Sequence, residues 1–273
     1  MATAASNLHA KPHGTTEPPY LSRGIPWPKK TNAGNEPFLH QRREHNGGDA
    51  GKVGFVYATL KDMVMNYQVR PGERLHAHEF AERLRVSATP VREAFIKLHA
   101  EEFIALMPNR GFYAKALDVK EQISLHELAF LVMIDAIRRN IAGFSELDLH
   151  DASEDVPSDS NTVAKDTVHR SLPDALRSEH FYQQITSLSM NREMSRFMCN
   201  FCDRTRYVRL LELEDTEQTR AIAADTGALV SALRAHDANC AANHLCRLLE
   251  MKRGGLPMLV KEGNSRALMT DLP

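Results

Sequence analysis

The chain has 273 residues, 42 % apolar and 25 % charged, an ordinary globular make-up with room for about two domains. It has no apolar run long enough to span a bilayer and no basic-then-apolar stretch at its start, so neither a spanning helix nor a secretory signal is expected, and the expectation is a soluble, cytoplasmic protein. The net charge of −1 is unevenly spread: residues 1–52 carry seven Lys/Arg and four Asp/Glu, 53–117 nine and seven, and 118–273 eighteen and 24. A mildly basic N-terminal part on an acidic body suits a polyanion partner.

Residues 1–52 are rich in Gly, Pro and Asn (EPPY, GIPWPKK, HNGGDAGK) and hold no helical or strand period, so they read as a flexible N-terminal arm. Residues 53–117 read as one compact unit. Val56, Leu60, Met63 and Val64 form a helical stripe, and Arg70-Pro71-Gly72 breaks it. A short helix over His76–Leu84 follows, then a turn at Val86-Ser87. A third helix spans Ala88–Glu101, with Val91, Ala94, Phe95 and Leu98 on one face. Two β-prone runs, Phe103–Leu106 and Phe112–Ala114, flank the turn Met107–Gly111. From Asp118, a plausible N-cap, to about Gly255 the periods are helical: 120–142, 176–188, 193–213 and 222–252, with a polar connection over 145–172. In the last helix Ile222, Leu229, Leu233, Cys240 and Leu248 track one stripe. Residues 256–273 read as a mobile C-terminal tail. The fold class expected is mainly α: a winged helix-turn-helix with a small β-hairpin wing, then an all-α helical bundle over 118–255.

Cys199 and Cys202 form the C-x-x-C of this chain, but in a helical stretch, where buried thiols are the simpler reading than a zinc or redox site. There is no Gly-rich phosphate loop, HExxH or G-x-S-x-G, so an enzyme is not expected. The second and third helices have the order that a DNA reader needs. A recognition helix enters the major groove by its N-terminal end, here Val86–Glu93. Ser87 and Thr89 offer hydroxyls, and an outward-facing helix N-terminus suits a phosphate. Arg92 can reach a phosphate or a guanine. Arg110 at the hairpin tip can enter the minor groove, and Gly111 lets the backbone come close. The competing reading is a small helical domain with a solvated charged face.

The PGERL turn, FAERLRVS, TPVREA and PNRG occur here in one order over about 60 residues, and this set resembles the winged helix-turn-helix of GntR-family regulators. The helical remainder from LDVKEQISLHELAFLV is similar in position and length to the FCD effector domain of the FadR subfamily. The resemblance implies a homodimer on a two-fold operator of double-stranded DNA, usually a repressor. It also implies a small-molecule effector, commonly a carboxylate, in the helical domain. DNA contacts fall on Ser87, Thr89, Arg92 and Gly111. The sequence departs from the family at Ala88, where arginine is usual, and at Glu102, where glycine is usual. Many members hold a divalent metal through an Asp, a His four residues later and two further His. Aligned through Phe181 and Asn191, those positions fall on Ser178, Tyr182, Thr226 and Leu248, so no metal and no other cofactor is expected. His180 and His244 are the nearby histidines. Without a metal, a ligand carboxylate needs another cation, for which Arg204 and Arg206 are the candidates against the default of solvated arginine. Ser178, Tyr182 and Thr226 are expected to line the cavity. The alternative is a degenerate family member acting through protein contacts.

Overall fold

A computed structural model describes residues 49–144 and 167–269. Most of the arm (1–48), the connection over 145–166 and the last four residues lie outside the described residues.

Helix α1 (Asp49–Met65) starts inside the segment read as an arm. It buries Val56, Leu60 and Met63 against α3 (Ala88–Ala100), which supplies Val91, Ala94, Phe95 and Leu98. Helix α2 (Ala77–Leu84) adds Phe80 and Ala81. Phe95 sits at the centre, 5.7 Å edge-on from Phe80 and 5.6 Å from Phe112. Aromatic pairs in that geometry add to the area they bury. Strands β1 (Ile104–Met107) and β2 (Gly111–Ala114) pair antiparallel, Ile104 opposite Ala114 and Met107 opposite Gly111. Helix α1 ends at Met65, with Tyr67 at φ 53, and Arg70-Pro71-Gly72 leads instead into a short extended run. Leu75 N–H donates to Phe112 O (2.8 Å), and Ala114 N–H donates to Glu73 O (2.9 Å), so 72–75 runs as a third rung beside the hairpin. Glu102 takes φ 68, the left-handed value for which glycine is usual. The turn closes nonetheless, through Phe103 N–H to Leu98 O at 2.9 Å.

The second part is all helical. Helix α4 (Val119–Asn140) is capped by Asp118, whose Oδ1 accepts from Glu121 N–H at 2.8 Å. Beyond a 3₁₀ turn (Ile141–Gly143) come α5 (Thr167–Ser187), α6 (Arg192–Glu212), α7 (Thr216–Arg234) and α8 (Ala238–Met269). Phe130, Met133, Ile137, Ile185, Met198, Phe201, Leu229, Leu233 and Leu245 form the core. The described residues are thus mainly α with a two-stranded wing, as read from the sequence. No helix among them is long and apolar enough to cross a membrane.

Two expectations are corrected. The helix read over 222–252 is two helices. The chain turns at Ala235–Asp237, where His236 adopts φ 54 and Asp237 Oδ1 caps α8 through Cys240 N–H at 2.9 Å. The stripe from Ile222 to Leu248 is real because both helices face the same core. Residues 256–269 of the segment read as a C-terminal tail are the second half of α8, which passes through exposed Pro257. Proline removes one helical hydrogen bond, but Arg253, whose carbonyl loses its donor, is also exposed. Leu256, Leu259 and Val260 are held in a small core with Leu117, Val208 and Leu211.

The junction between the two parts is tied by Asn264. Its amide donates to Leu117 O and accepts from Leu117 N–H, both at 2.9 Å, and Leu117 is buried. Replacing it leaves two backbone groups without partners. Asn264→Ala is therefore expected to lower unfolding free energy by about 1–3 kcal/mol in urea titrations; an unchanged midpoint contradicts this role.

Candidate nucleic-acid interface and helical cavity

Helices α2 and α3 meet at a tight turn. Arg85 takes the left-handed conformation (φ 55), and Val86 N–H closes it on Ala81 O at 3.0 Å. Ser87 occupies the N-cap position of α3 in extended conformation, but its side chain makes no capping bond. Ser87, Thr89 and Arg92 are all exposed along the leading edge of α3, while Val91, Ala94 and Phe95 are buried behind it. The Arg92 guanidinium lies 3.3 Å from His78 Nε2 on α2, so it stands over the outer face of the helix pair. At the wing tip Arg110 is exposed, and its N–H donates to Met107 O at 3.0 Å. Gly111 holds φ 92, a value L side chains rarely adopt. The five DNA-facing residues read from sequence thus lie on the α3 edge and the wing, with unspent helix N–H groups and two arginines.

The body holds a cavity of about 400 Å³ among α5, α6, α7 and α8. Ser178, Tyr182 and Thr226 line it. Ser178 and Thr226 donate their hydroxyl protons to Asp174 O (3.0 Å) and Ile222 O (2.8 Å), which leaves their oxygens as acceptors. Arg204 does not line it, a correction to the sequence reading. It faces the head, pairing with Glu121 and donating to Asn200 Oδ1 at 3.4 Å. Arg206 is also committed: it grips Glu179 through two bonds of 2.7 Å and reaches Asp203 at 3.2 Å. The cavity's buried cations are instead Arg209 and Lys252, 3 % and 4 % exposed. Arg209 pairs with Glu179 and donates to Thr205 Oγ1 (2.5 Å) and Cys202 O (2.9 Å); Lys252 pairs with Glu212 at 2.5 Å. A signal for both was available. Arg209 follows Cys202 and Thr205 at helical spacing, and Lys252 follows Leu245 and Leu248.

The donor set suits no metal ion. The positions aligned with family ligands are Ser178, Tyr182, Thr226 and Leu248. His180 is exposed and bonded to Gln184 (2.8 Å), and His244 pairs with Asp225 (2.9 Å). Among the described residues no group of three or more His, Cys, Asp or Glu is placed to hold a metal. Cys199 is exposed while Cys202 is buried, and burial pushes the Cys202 thiol up to about 12.

Helix α6 also touches the head. Asp203 pairs with Lys61 of α1 at 2.7 Å, and Asn200 donates to Glu101 O, at the end of α3, at 3.0 Å. Arg206 thus bonds both Glu179, the partner of cavity-lining Arg209, and Asp203, the partner of the head's Lys61.

Residues 52–114 match the model of "Bacterial regulatory proteins, gntR family". That stretch, α1 to the wing, is thus similar to the DNA-binding part of the gntR family. The chain is 27 % identical over 204 residues to the Nta operon transcriptional regulator of Aminobacter aminovorans, covering 71 % of this chain and 93 % of that one. It is 35 % identical over 66 residues to the transcriptional repressor RspR of Escherichia coli K12, 24 % of this chain and 29 % of that one. In fold it is similar to a GntR transcriptional regulator from Rhodococcus sp. RHA1 (TM-score 0.60, 19 % identity, 76 % of this chain and 98 % of that one). It is likewise similar to E. coli McbR/YncC (TM-score 0.56, 17 % identity, 76 % and 97 %). The family match falls on α1, α2, α3 and the wing, and the relatives named above are transcriptional regulators.

His126, 2 % exposed on α4, lies beside this cluster. Its Nδ1 is 2.8 Å from Gln122 O, and its ring stands edge-on to Phe201 at 5.1 Å. Burial first, then the charge of Lys252, holds its pKa down to about 3. The folded protein keeps it neutral while the unfolded chain takes up a proton near pH 6.5. Stability is therefore full above about pH 6.5 and falls toward pH 3, by up to about 1.4 kcal/mol per pH unit from this group. Urea titrations at pH 7, 6 and 5 are expected to show a slope one proton shallower in His126→Asn than in wild type; parallel slopes contradict it.

Proposed function

We propose that the protein binds a two-fold DNA operator as a homodimer, acting as a repressor whose affinity a small carboxylate effector resets from the helical cavity without a bound metal. The observation that carries the DNA half is the leading edge of α3. Ser87, Thr89 and Arg92 are exposed there, and so is the wing's Arg110, while the face of α3 that carries Val91, Ala94, Phe95 and Leu98 is buried. That is the disposition with which a recognition helix enters the major groove. The E. coli relative RspR is a transcriptional repressor, which supports the sign. The dimer is supported by Leu128 and Leu131, exposed at i, i+3 on α4, an apolar strip that a second copy would cover. The effector half is supported by the cavity, whose size is that of a small-molecule site. The placement of the helical part behind the head, and its likeness in length, support an FCD-type effector domain of the FadR subfamily.

The test starts from duplexes enriched out of a random pool by the full-length protein. Fluorescence anisotropy is expected to show binding that weakens steeply with salt. Arg92→Ala is expected to lose about 1–3 kcal/mol, roughly fivefold to 150-fold in Kd. Wild type and mutant binding alike would remove α3 as the reader. An absence of binding even at low salt would turn the reading toward a family member that works through protein contacts.

A further inference from the structure

We infer that the helical cavity takes a small amphipathic monocarboxylate and holds its carboxylate directly on Arg209 and Lys252, with no metal ion between them. The inference rests on the effector reading of this cavity and states how the effector is gripped.

The first observation is the charge that the cavity buries. Arg209 and Lys252 come from α6 and α8 and both line it. Each is paired with a carboxylate, Arg209 with Glu179 and Lys252 with Glu212, so what they present to an anion is spare hydrogen-bond donors at a cationic group. The second is an unspent donor. Both Nη atoms of Arg209 are engaged, but its buried Nε has no hydrogen-bond partner. A buried N–H left without an acceptor is costly, and a carboxylate is the acceptor that a guanidinium edge fits. The Lys252 ammonium has three donors and gives one to Glu212. The third is the apolar part of the lining: Ile222, Leu229, Val230 and Leu248 match a hydrocarbon body rather than a second charge. A phosphate or a dicarboxylate would leave that lining facing a polar group, which disfavours both.

The experiment is thermal unfolding of the full-length protein in EDTA with benzoate, cyclohexanecarboxylate and octanoate, each beside its primary amide. At least one acid is expected to raise Tm by about 5 °C at a hundredfold excess over its Kd, with its amide inert and added nickel without effect. The paired variant Lys252→Met with Glu212→Gln removes the cation together with its partner, leaving no orphan charge, and is expected to abolish the shift. The wild-type comparison of acid with amide stands even if that variant fails to fold. A shift that needs nickel, equal shifts from acid and amide, or no shift from any acid overturns the inference. An acid that stabilises the protein but leaves DNA affinity unchanged supports this site and defeats the effector reading instead.

Discussion

Glu179 is the point on which the helical body turns. It is 6 % exposed and is shared by two arginines of α6, Arg206 and Arg209. A carboxylate so buried is tolerable only when paired and hydrogen-bonded; deleting one partner of such a cluster costs about 3–5 kcal/mol, because the remaining charge is stranded. The requirement fixes α5 against α6 in rotation as well as distance, since both arginines must stay within reach of one carboxylate. The pair Glu212–Lys252 does the same between α6 and α8. Apolar packing would allow each helix to slide or roll by small amounts; the ion clusters select one register.

The fold was legible where local chemistry and long-range packing agree. The stripe Val91, Ala94, Phe95, Leu98 gave α3, and Asp118 gave the start of α4, because a buried face and a cap are local facts. The reading failed where packing overrides local signals. Gly254, Gly255 and Pro257 look like the end of a helix, yet α8 continues because Leu256, Leu259 and Val260 have a core to enter. The turn at His236 was hidden because two helices folded back on one core continue a single apolar stripe.

The site shows the same division. The α3 edge could be read as a motif because its residues are contiguous in sequence. The cavity could be read only in part: resemblance put Ser178, Tyr182 and Thr226 on its lining, but its buried cations were missed. Arg204, Arg206 and Arg209 lie within six residues and have the same composition, and only helical phase sends one toward the head, one to Glu179 and one into the cavity. Arg209 is the one on the stripe with Cys202 and Thr205. An arginine in phase with buried residues is the informative one, since exposure is the default for the type.

The head and body are joined by contacts of two strengths. At Leu117 the junction is apolar and doubly hydrogen-bonded to Asn264. Elsewhere it is polar: Lys61 with Asp203, Arg204 and Lys115 with Glu121, Asn200 with Glu101 O. All of these polar groups are partly exposed, and partly solvated ion pairs are each worth about 1 kcal/mol or less. The strong contact acts as a pivot and the weak ones as an adjustable set around it. Coupling between two sites in a regulator is typically about 1–3 kcal/mol, the scale on which two or three such pairs can be exchanged. Arg206 bonds Glu179 on the cavity side and Asp203 on the head side, so the pairs nearest that scale are also the ones a change at Arg209 would reach first.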